Sequence, residues 1–408
     1  MAQSEPAPRS ERGSLGRLLI LGSLVGLGPL AVDTYLPGLP ALTHGLHASE
    51  AYGQLTLTAC LLGLGIGQLL VGPLSDARGR RAPLLVGLLA FSAASMACAI
   101  APSIGALVAL RFVEGLTGAA GLVIAPAIVR DSYSGRSAAT RFSVLQSVTG
   151  VAPVIAPLAG SALLRVTTWR GIYVALAAFG VLLYAVVLIA LDETHPRSGR
   201  QSAALRSVLK SFSTLWHDRH FVALAGAFGL TFASLFAYIS GSSFVLEDIY
   251  RLSPQLYAVV FAANAAGLVL AARAGAKFVG RFGPARLLRW ALCVAAVASL
   301  GLLAAGAAHA PLALVLICMF TLVSSVGVIA PNATALALAE QGARAGSASA
   351  QLGAGQFVLG AAVAPLVGVA GSHTMLPLGI VIALCSCTAL VLYEWGSAVG
   401  RPRLQQAN

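Results

Sequence analysis

The chain has 408 residues, of which 58% are hydrophobic and only 10% charged, with a mean hydropathy of +0.85. A soluble domain carries roughly 25% charged residues, so this composition excludes a water-facing globule of such size and makes the lipid bilayer the expected solvent. The formal net charge of +12 raises nucleic acid as a partner, but the placement of the basic residues argues against it.

Residues 1–16 are polar and are expected to form a disordered cytoplasmic N-terminus. Twelve apolar segments follow, near 17–37, 52–75, 82–101, 104–130, 139–164, 168–191, 220–242, 254–277, 285–308, 311–332, 346–370 and 374–396. They are continuous runs without the period-two alternation of a membrane barrel. The expected fold is therefore an all-α polytopic membrane protein with twelve transmembrane helices in two six-helix bundles. The N-terminal bundle spans 17–191 and the C-terminal bundle 220–396. A cytoplasmic linker (192–219) separates them, and a cytoplasmic tail (397–408) follows.

Lys and Arg placement sets the orientation. Of the 26 basic residues, all but Arg165, Arg170, Arg251 and the intramembrane Arg111 fall at one set of segment ends. That bias places both termini in the cytoplasm. It also accounts for the positive charge as a topological signal rather than a nucleic-acid footprint. The six cysteines all lie inside apolar runs and read as small buried hydrophobes, not as a disulfide framework or metal site. The histidines are scattered, and neither a zinc-protease spacing nor a phosphate-binding loop occurs, so ATP is not the expected energy source. No soluble domain is large enough for catalysis, and an enzyme is not expected.

The stretch Gly67–Arg81, GQLLVGPLSDARGRR, joins the second and third segments. It combines Gly67, Gly72 and Gly79 with Asp76, Arg78, Arg80 and Arg81. A shift of 204 residues lays Gly79 on Gly283, where GRFGPARLL repeats the loop in degenerate form with Gly280 in place of Asp76. Two six-helix halves with a duplicated loop point to a gene-doubled transporter.

Several motifs in order carry a resemblance. GPLSDARGRR resembles the G-x-x-x-D-R-x-G-R-R/K loop of the major facilitator superfamily, with Ala77 where Arg is usual. DTYLPGLPAL (Asp33–Leu42) resembles the end of the first helix of its twelve-helix drug/proton antiporters. RFVEGLTGAAG (Arg111–Gly121) resembles their R-x-x-Q-G motif, with Glu114 for Gln. GVAPVIAPLAG (Gly150–Gly160) resembles their fifth-helix motif, with Ala156 and Ala159 where glycines are usual. SPQLYAVVFAANAAG, NATALAL and AGSASAQLGAGQF look like the Bcr/CflA drug-resistance branch.

Three ionisable groups are expected well inside spans: Asp33, Arg111 and Glu114. A charge in hydrocarbon costs several kcal/mol or more, so each requires an explanation. A carboxylate in a low-dielectric cavity can cycle between protonated and ionised forms near neutral pH, and the resemblance implies such an acid at Asp33. A cap at the helix end is the structural alternative. Arg111 and Glu114, three apart, share one helix face. They read either as a structural ion pair or as a fixed charge beside a second proton site. The run Gly150, Pro153, Pro157 and Gly160 permits close packing and bends its helix; the family implies a seal against proton leakage, and an ordinary kink is the alternative. Candidates for the substrate cavity are Tyr35, Gln146, Tyr238, Asn264, Asn332, Gln356 and Phe357.

The resemblance implies a proton-coupled antiporter exporting small amphiphilic molecules across the bacterial inner membrane by alternating access. The expected partners are the substrate and the lipid bilayer, with no nucleic acid, in a monomer. No cofactor is expected beyond the proton as coupling ion. The Gly67–Arg81 loop is implied to latch the outward-facing state, its glycines pressing the second helix against the other half. An uptake symporter and a non-transporting sensor or channel are the alternatives.

Overall fold

The computed structural model describes residues 11–133, 135–195, 218–339, 341, 345–368 and 374–405. Helices are the expected answer in hydrocarbon, where every backbone group must be paired within the segment. The twelve long helices are α1 (Glu11–Asp33), α2 (Glu50–Arg78), α3 (Arg81–Ala99), α4 (Ile104–Ser132), α5 (Gly135–Leu163), α6 (Trp169–Ala190), α7 (Arg219–Ser243), α8 (Pro254–Phe282), α9 (Pro284–Ala307), α10 (Leu312–Ala339), α11 (Ala345–Val363) and α12 (Leu376–Gln405). Each falls on a span long and apolar enough to cross a membrane. No strand occurs among the described residues.

Helix ends depart from the apolar segments for a consistent reason. Hydropathy registers only the lipid-facing length, whereas an established helix propagates into water at little cost. Hence α1 starts at Glu11, inside the stretch expected to be disordered, and α12 continues to Gln405 through the expected tail. Residues 1–10 lie outside the described residues, as do 196–217 of the linker. Asp218 caps α7, accepting from the backbone N–H of His220 and Phe221 at 3.1 and 3.4 Å. The α7 span also runs further than expected. A π-turn, Phe244–Ile249, extends it past residue 242.

The internal repeat is more extensive than the loop alone. A shift of 204 residues carries both ends of α2 onto α8 (50 to 254, 78 to 282). Gly79 and Gly283, which end these helices, have φ of 95° and 76°, a region that favours glycine. His47 and Arg251, related by the same shift, also share a left-handed φ of 50° and 58°.

Small residues set the closest crossings. A Cβ on Gly63, Gly67 or Gly115 would collide with backbone atoms across the α2–α4 crossing; on Gly121 it would strike Leu24 of α1, and on Gly160, Thr34. This is the small-residue packing that lets membrane helices associate. Gly67 therefore presses α2 against α4 of its own half. The expectation that it contacts the other half is corrected: that contact is made by Gly65, which faces Phe357 and Val358 of α11, and by Gly53, which faces the Phe244 ring.

The halves meet along two helix pairs, α2 with α11 and α5 with α8. At the arginine-poor end they are joined further. The turn Leu36–Gly38 after α1 touches α7 and α8, the short helix Leu39–Gly45 touches Phe244–Ile249, and the turn Ala364–Gly368 packs on α2. That end is closed.

The cysteines are free. Cys60, Cys98, Cys318 and Cys385 are buried as expected, but Cys293 is exposed on α9. An apolar outer face is the norm where lipid replaces water, so an apolar run does not tell core from lipid side.

Candidate functional site

The site is built where α4 passes α1, α2, α3 and α6. Ser103 caps the start of α4, accepting from Ala106 N at 3.3 Å. Two turns on, Arg111 and Glu114 are both fully buried. Arg111 Nη1 donates to Glu114 Oε2 at 2.5 Å and to the backbone oxygen of Ala31, on α1, at 3.0 Å. The other carboxylate oxygen of Glu114 accepts from Ser95 Oγ of α3 at 2.6 Å. The guanidinium lies 4.3 Å from the centre of the Tyr35 ring and 5.7 Å from that of Tyr173, an arrangement that stabilises a desolvated cation. Tyr35 is held in turn by Thr56, whose Oγ1 is 3.2 Å from its hydroxyl. Arg111 and Glu114 form a buried ion pair. Both carboxylate oxygens are occupied, and the pair ties α4 to α1 and α3.

Asp33 is placed differently. It is the last residue of α1, is 3% exposed, and its Oδ1 has no hydrogen-bond partner. Cys60 of α2 and, from the other half, Tyr238 of α7 and Tyr257 of α8 lie within electrostatic range of it. Asp33 is therefore neither a cap nor a surface residue. It is a buried acid at the junction of the halves, at the closed end.

Sequence reading missed two further acids. Glu247 and Asp248 lie in the π-turn, within the α7 span, and Glu247 Oε1 and Asp248 Oδ2 are buried without partners. The apolar stretch Phe244, Val245 and Leu246 before them is the signal in the sequence that the span continues past 242.

The loop between α2 and α3 forms a charge cluster at the arginine-rich end. Arg80, 3% exposed, bonds Asp76 at 2.5 Å, Asp131 at the end of α4 at 2.8 Å and Ser75 Oγ at 2.7 Å. Glu193, beyond α6, accepts from the backbone N–H of Arg80 and Arg81 at 2.8 and 3.2 Å. Arg81 also donates to Leu188 O at 2.6 Å, while Arg78 is exposed. Asp131 and Glu193 were not singled out in the sequence because each is remote in the chain. Gly72 packs near Val123 of α4. In the second loop Arg281 and Arg286 are exposed, and the ion pair nearby, Arg289 with Glu394 at 2.6 Å, is itself half-exposed. Arg80→Ala is therefore expected to slow substrate transport several-fold, whereas Arg286→Ala leaves it near wild type; equal losses in a vesicle flux assay would contradict the asymmetry.

Glu193 adds a pH dependence. Burial is the largest single influence and raises its carboxyl, but the N–H donors of His195, Arg80, Arg81 and Thr194 together outweigh it and hold the group below its ordinary value of 4.5. A depressed acid stabilises the fold above its unfolded pKa, and the contribution disappears as pH falls through the folded value. Amide exchange at Arg80 and Arg81, corrected for intrinsic rates, is expected to lose protection below about pH 4.5 in the wild type. In Glu193→Gln that loss should already be present at pH 7.

In α5, Gly160 packs on Thr34, just after α1, and Gly150 lies near Val269 of α8, with Pro153 and Pro157 between them. The helix thus packs on the end of α1 in its own half and on α8 of the other. The cavity candidates do not form one wall. Tyr35 belongs to the arginine cluster. Tyr238 accepts from Asn264 Nδ2 at 2.8 Å, and Asn332 Nδ2 bonds Val328 O at 2.7 Å within its own helix. All four are buried. Gln356 and Phe357 are partly exposed, Phe357 with its ring 5.7 Å from Phe236. The Gln146 side chain lies outside the described residues.

Two six-helix halves with a repeated loop, packed around buried charge, define the architecture of a polytopic membrane transporter. The chain belongs to the Major Facilitator Superfamily, whose profile matches residues 21–365. It is 41% identical over 374 residues to the "Uncharacterized MFS-type transporter YdgK" of Bacillus subtilis, covering 90% of this chain and 92% of that one. It is 28% identical over 376 residues to the "Bicyclomycin resistance protein homolog" of Haemophilus influenzae, covering 92% and 94%. Among solved structures, a bacterial homologue of the human lysosomal transporter Spinster, inward-facing and occupied, superposes with a TM-score of 0.76 at 16% identity, covering 96% and 98%. The protein is a multi-pass membrane transporter, not an enzyme.

Proposed function

We propose that the protein exports small amphiphilic molecules from the bacterial cytoplasm in exchange for protons, with Asp33 as the proton-carrying group. The observation that carries this reading is the contrast between the buried carboxylates of α1 and α4. Glu114 has a counter-charge and a hydroxyl donor. Asp33 has an unpartnered oxygen at the junction of the halves, so its charge state is free to follow proton and substrate. Arg111 is the fixed charge, and Glu114 is its counter-charge.

The arginine-rich end is assigned to the cytoplasm by the positive-inside bias. The structure is then closed outside, and the next step is outward opening, with Asp33 exchanging its proton at the junction. A relative named for bicyclomycin resistance supports drug-like cargo. The largely apolar spans suit such cargo. The test is the drug susceptibility of an expressing strain with and without a protonophore. Resistance that a protonophore abolishes is the expected outcome; resistance unchanged by it would overturn proton coupling.

A further inference from the structure

The two copies of the repeated loop share a backbone and differ in chemistry. In the first, Arg80 is buried against Asp76 and Asp131. In the second, Arg273, Lys277, Arg281, Arg286 and Arg289 are all exposed. Among the described residues only Arg289 of these has an acid partner, Glu394. Their spacing leaves the charges unrelieved. Arg273, Lys277 and Arg281 follow one another at four-residue intervals on α8, and like charges so placed repel along a helix. Arg286 stands in the first turn of α9, which has no acidic residue and no side-chain cap. A cation there also opposes the helix dipole. An anion from outside the chain would relieve both.

Aromatic rings join the two helix ends and carry these cations. The Phe282 ring lies 6.1 Å from that of Phe278 and 5.2 Å, edge-on, from that of Trp290, so the stack bridges the end of α8 and the start of α9. The Arg281 guanidinium is 5.3 Å from the centre of the Phe282 ring. Arg286 precedes Trp290 by four residues, on the same side of α9. Phe278 and Trp290 are about half exposed. Trp290 begins an exposed apolar face of α9 that continues through Val294, Val297 and Leu300, at the spacing of one helix side. At about 1.5 Å per residue, Trp290 lies roughly 6 Å and Val297 roughly 17 Å further along the helix than Arg286. Cations, then an indole, then aliphatic side chains match the headgroup, interface and acyl chains of one leaflet.

We propose that the α8–α9 end is a seat for an anionic phospholipid. Its phosphate lies between Arg281 and Arg286, with Lys277 adding charge, its glycerol backbone beside Trp290, and an acyl chain along Val294, Val297 and Leu300. The occupant is a lipid because the cations stand at the head of an exposed apolar face and not in a closed pocket. The first loop does not share this role, since the acids around Arg80 already supply its counter-charge. The degenerate copy therefore has a task of its own: it ties the C-terminal half to the charged surface of the leaflet. The seat is independent of Asp33 and of the cargo.

Native mass spectrometry of the purified, delipidated full chain tests the seat. The protein is offered phosphatidylglycerol and phosphatidylcholine in equal amounts. The wild type is expected to retain phosphatidylglycerol roughly tenfold better. The double variant Arg281→Gln, Arg286→Gln should lose that preference. Arg281→Lys with Arg286→Lys should keep most of it, because the charge remains. Arg78→Gln, an exposed arginine of the first loop, should match the wild type. Trp290→Ala should release both lipids more readily while still preferring phosphatidylglycerol. All these side chains are exposed, so thermal unfolding without added lipid should be unchanged. Equal retention of the two lipids by the wild type, an undiminished preference in the double glutamine variant, or the same loss in Arg78→Gln would overturn the proposal. Displacement of the lipid by excess inorganic phosphate would also overturn it, by reducing the seat to a plain anion site.

Discussion

Arg111→Ala is expected to destabilise the protein by about 3–5 kcal/mol, the usual cost of orphaning one member of a buried ion pair. The variant leaves Glu114 fully buried without its counter-charge and held by Ser95 alone. It also removes the tie from α4 to Ala31 of α1 and the cation between the Tyr35 and Tyr173 rings. Glu114→Gln is expected to be milder, because Arg111 keeps the Ala31 oxygen, both ring faces and an amide oxygen at position 114. The double variant Arg111→Met, Glu114→Gln should recover part of the loss, since an apolar replacement of both partners spares the desolvation of either. Thermal unfolding of the purified protein ranks the three. A mild Arg111→Ala, or a Glu114→Gln worse than it, would show that the pair is not what joins these helices.

Asp33→Asn has the opposite profile. The amide fits the same space and needs no proton, so folding and membrane insertion should be preserved. Gradient-driven export should fall to background, at least tenfold, because a group that cannot change charge cannot couple a proton to a conformation. Exchange of labelled substrate across vesicles at equal pH should survive, since the bundles can still rock. Glu114→Gln should keep driven export. If the two variants changed places, Glu114 would be the proton carrier and its bonds to Arg111 and Ser95 would be incidental. Flux assays at equal and unequal pH separate these outcomes.

The twelve crossings, their division six and six, and the repeat were legible because the bilayer imposes them on composition. Continuous apolar runs and arginine placement suffice for that. The burial of Asp33, Arg111 and Glu114 was legible for the same reason: a charge in an apolar run is conspicuous. Their pairing was not. Spacing brings Arg111 to Glu114, but only the fold brings Ser95, Ala31, Tyr35 and Tyr173 to them from three other helices. Likewise Arg80 finds Asp131 and Glu193 across gaps of 51 and 113 residues, which no local pattern encodes. Gly67 shows a subtler limit. A glycine in a membrane helix announces close approach, but not which helix approaches. The π-turn at Phe244–Ile249 was hidden because its acids resemble the end of a span, and in the fold they are part of it.

The central claim is that Asp33, and not Glu114, exchanges its proton against substrate. Proton release on substrate binding reads this directly. Purified protein in weakly buffered detergent solution is mixed with tetraphenylphosphonium, an amphiphilic cation, and a pH dye records the release. The wild type and Glu114→Gln are predicted to release a proton on binding, and Asp33→Asn to bind the cation without release. Release from Asp33→Asn equal to the wild type, or its loss in Glu114→Gln alone, would contradict the account.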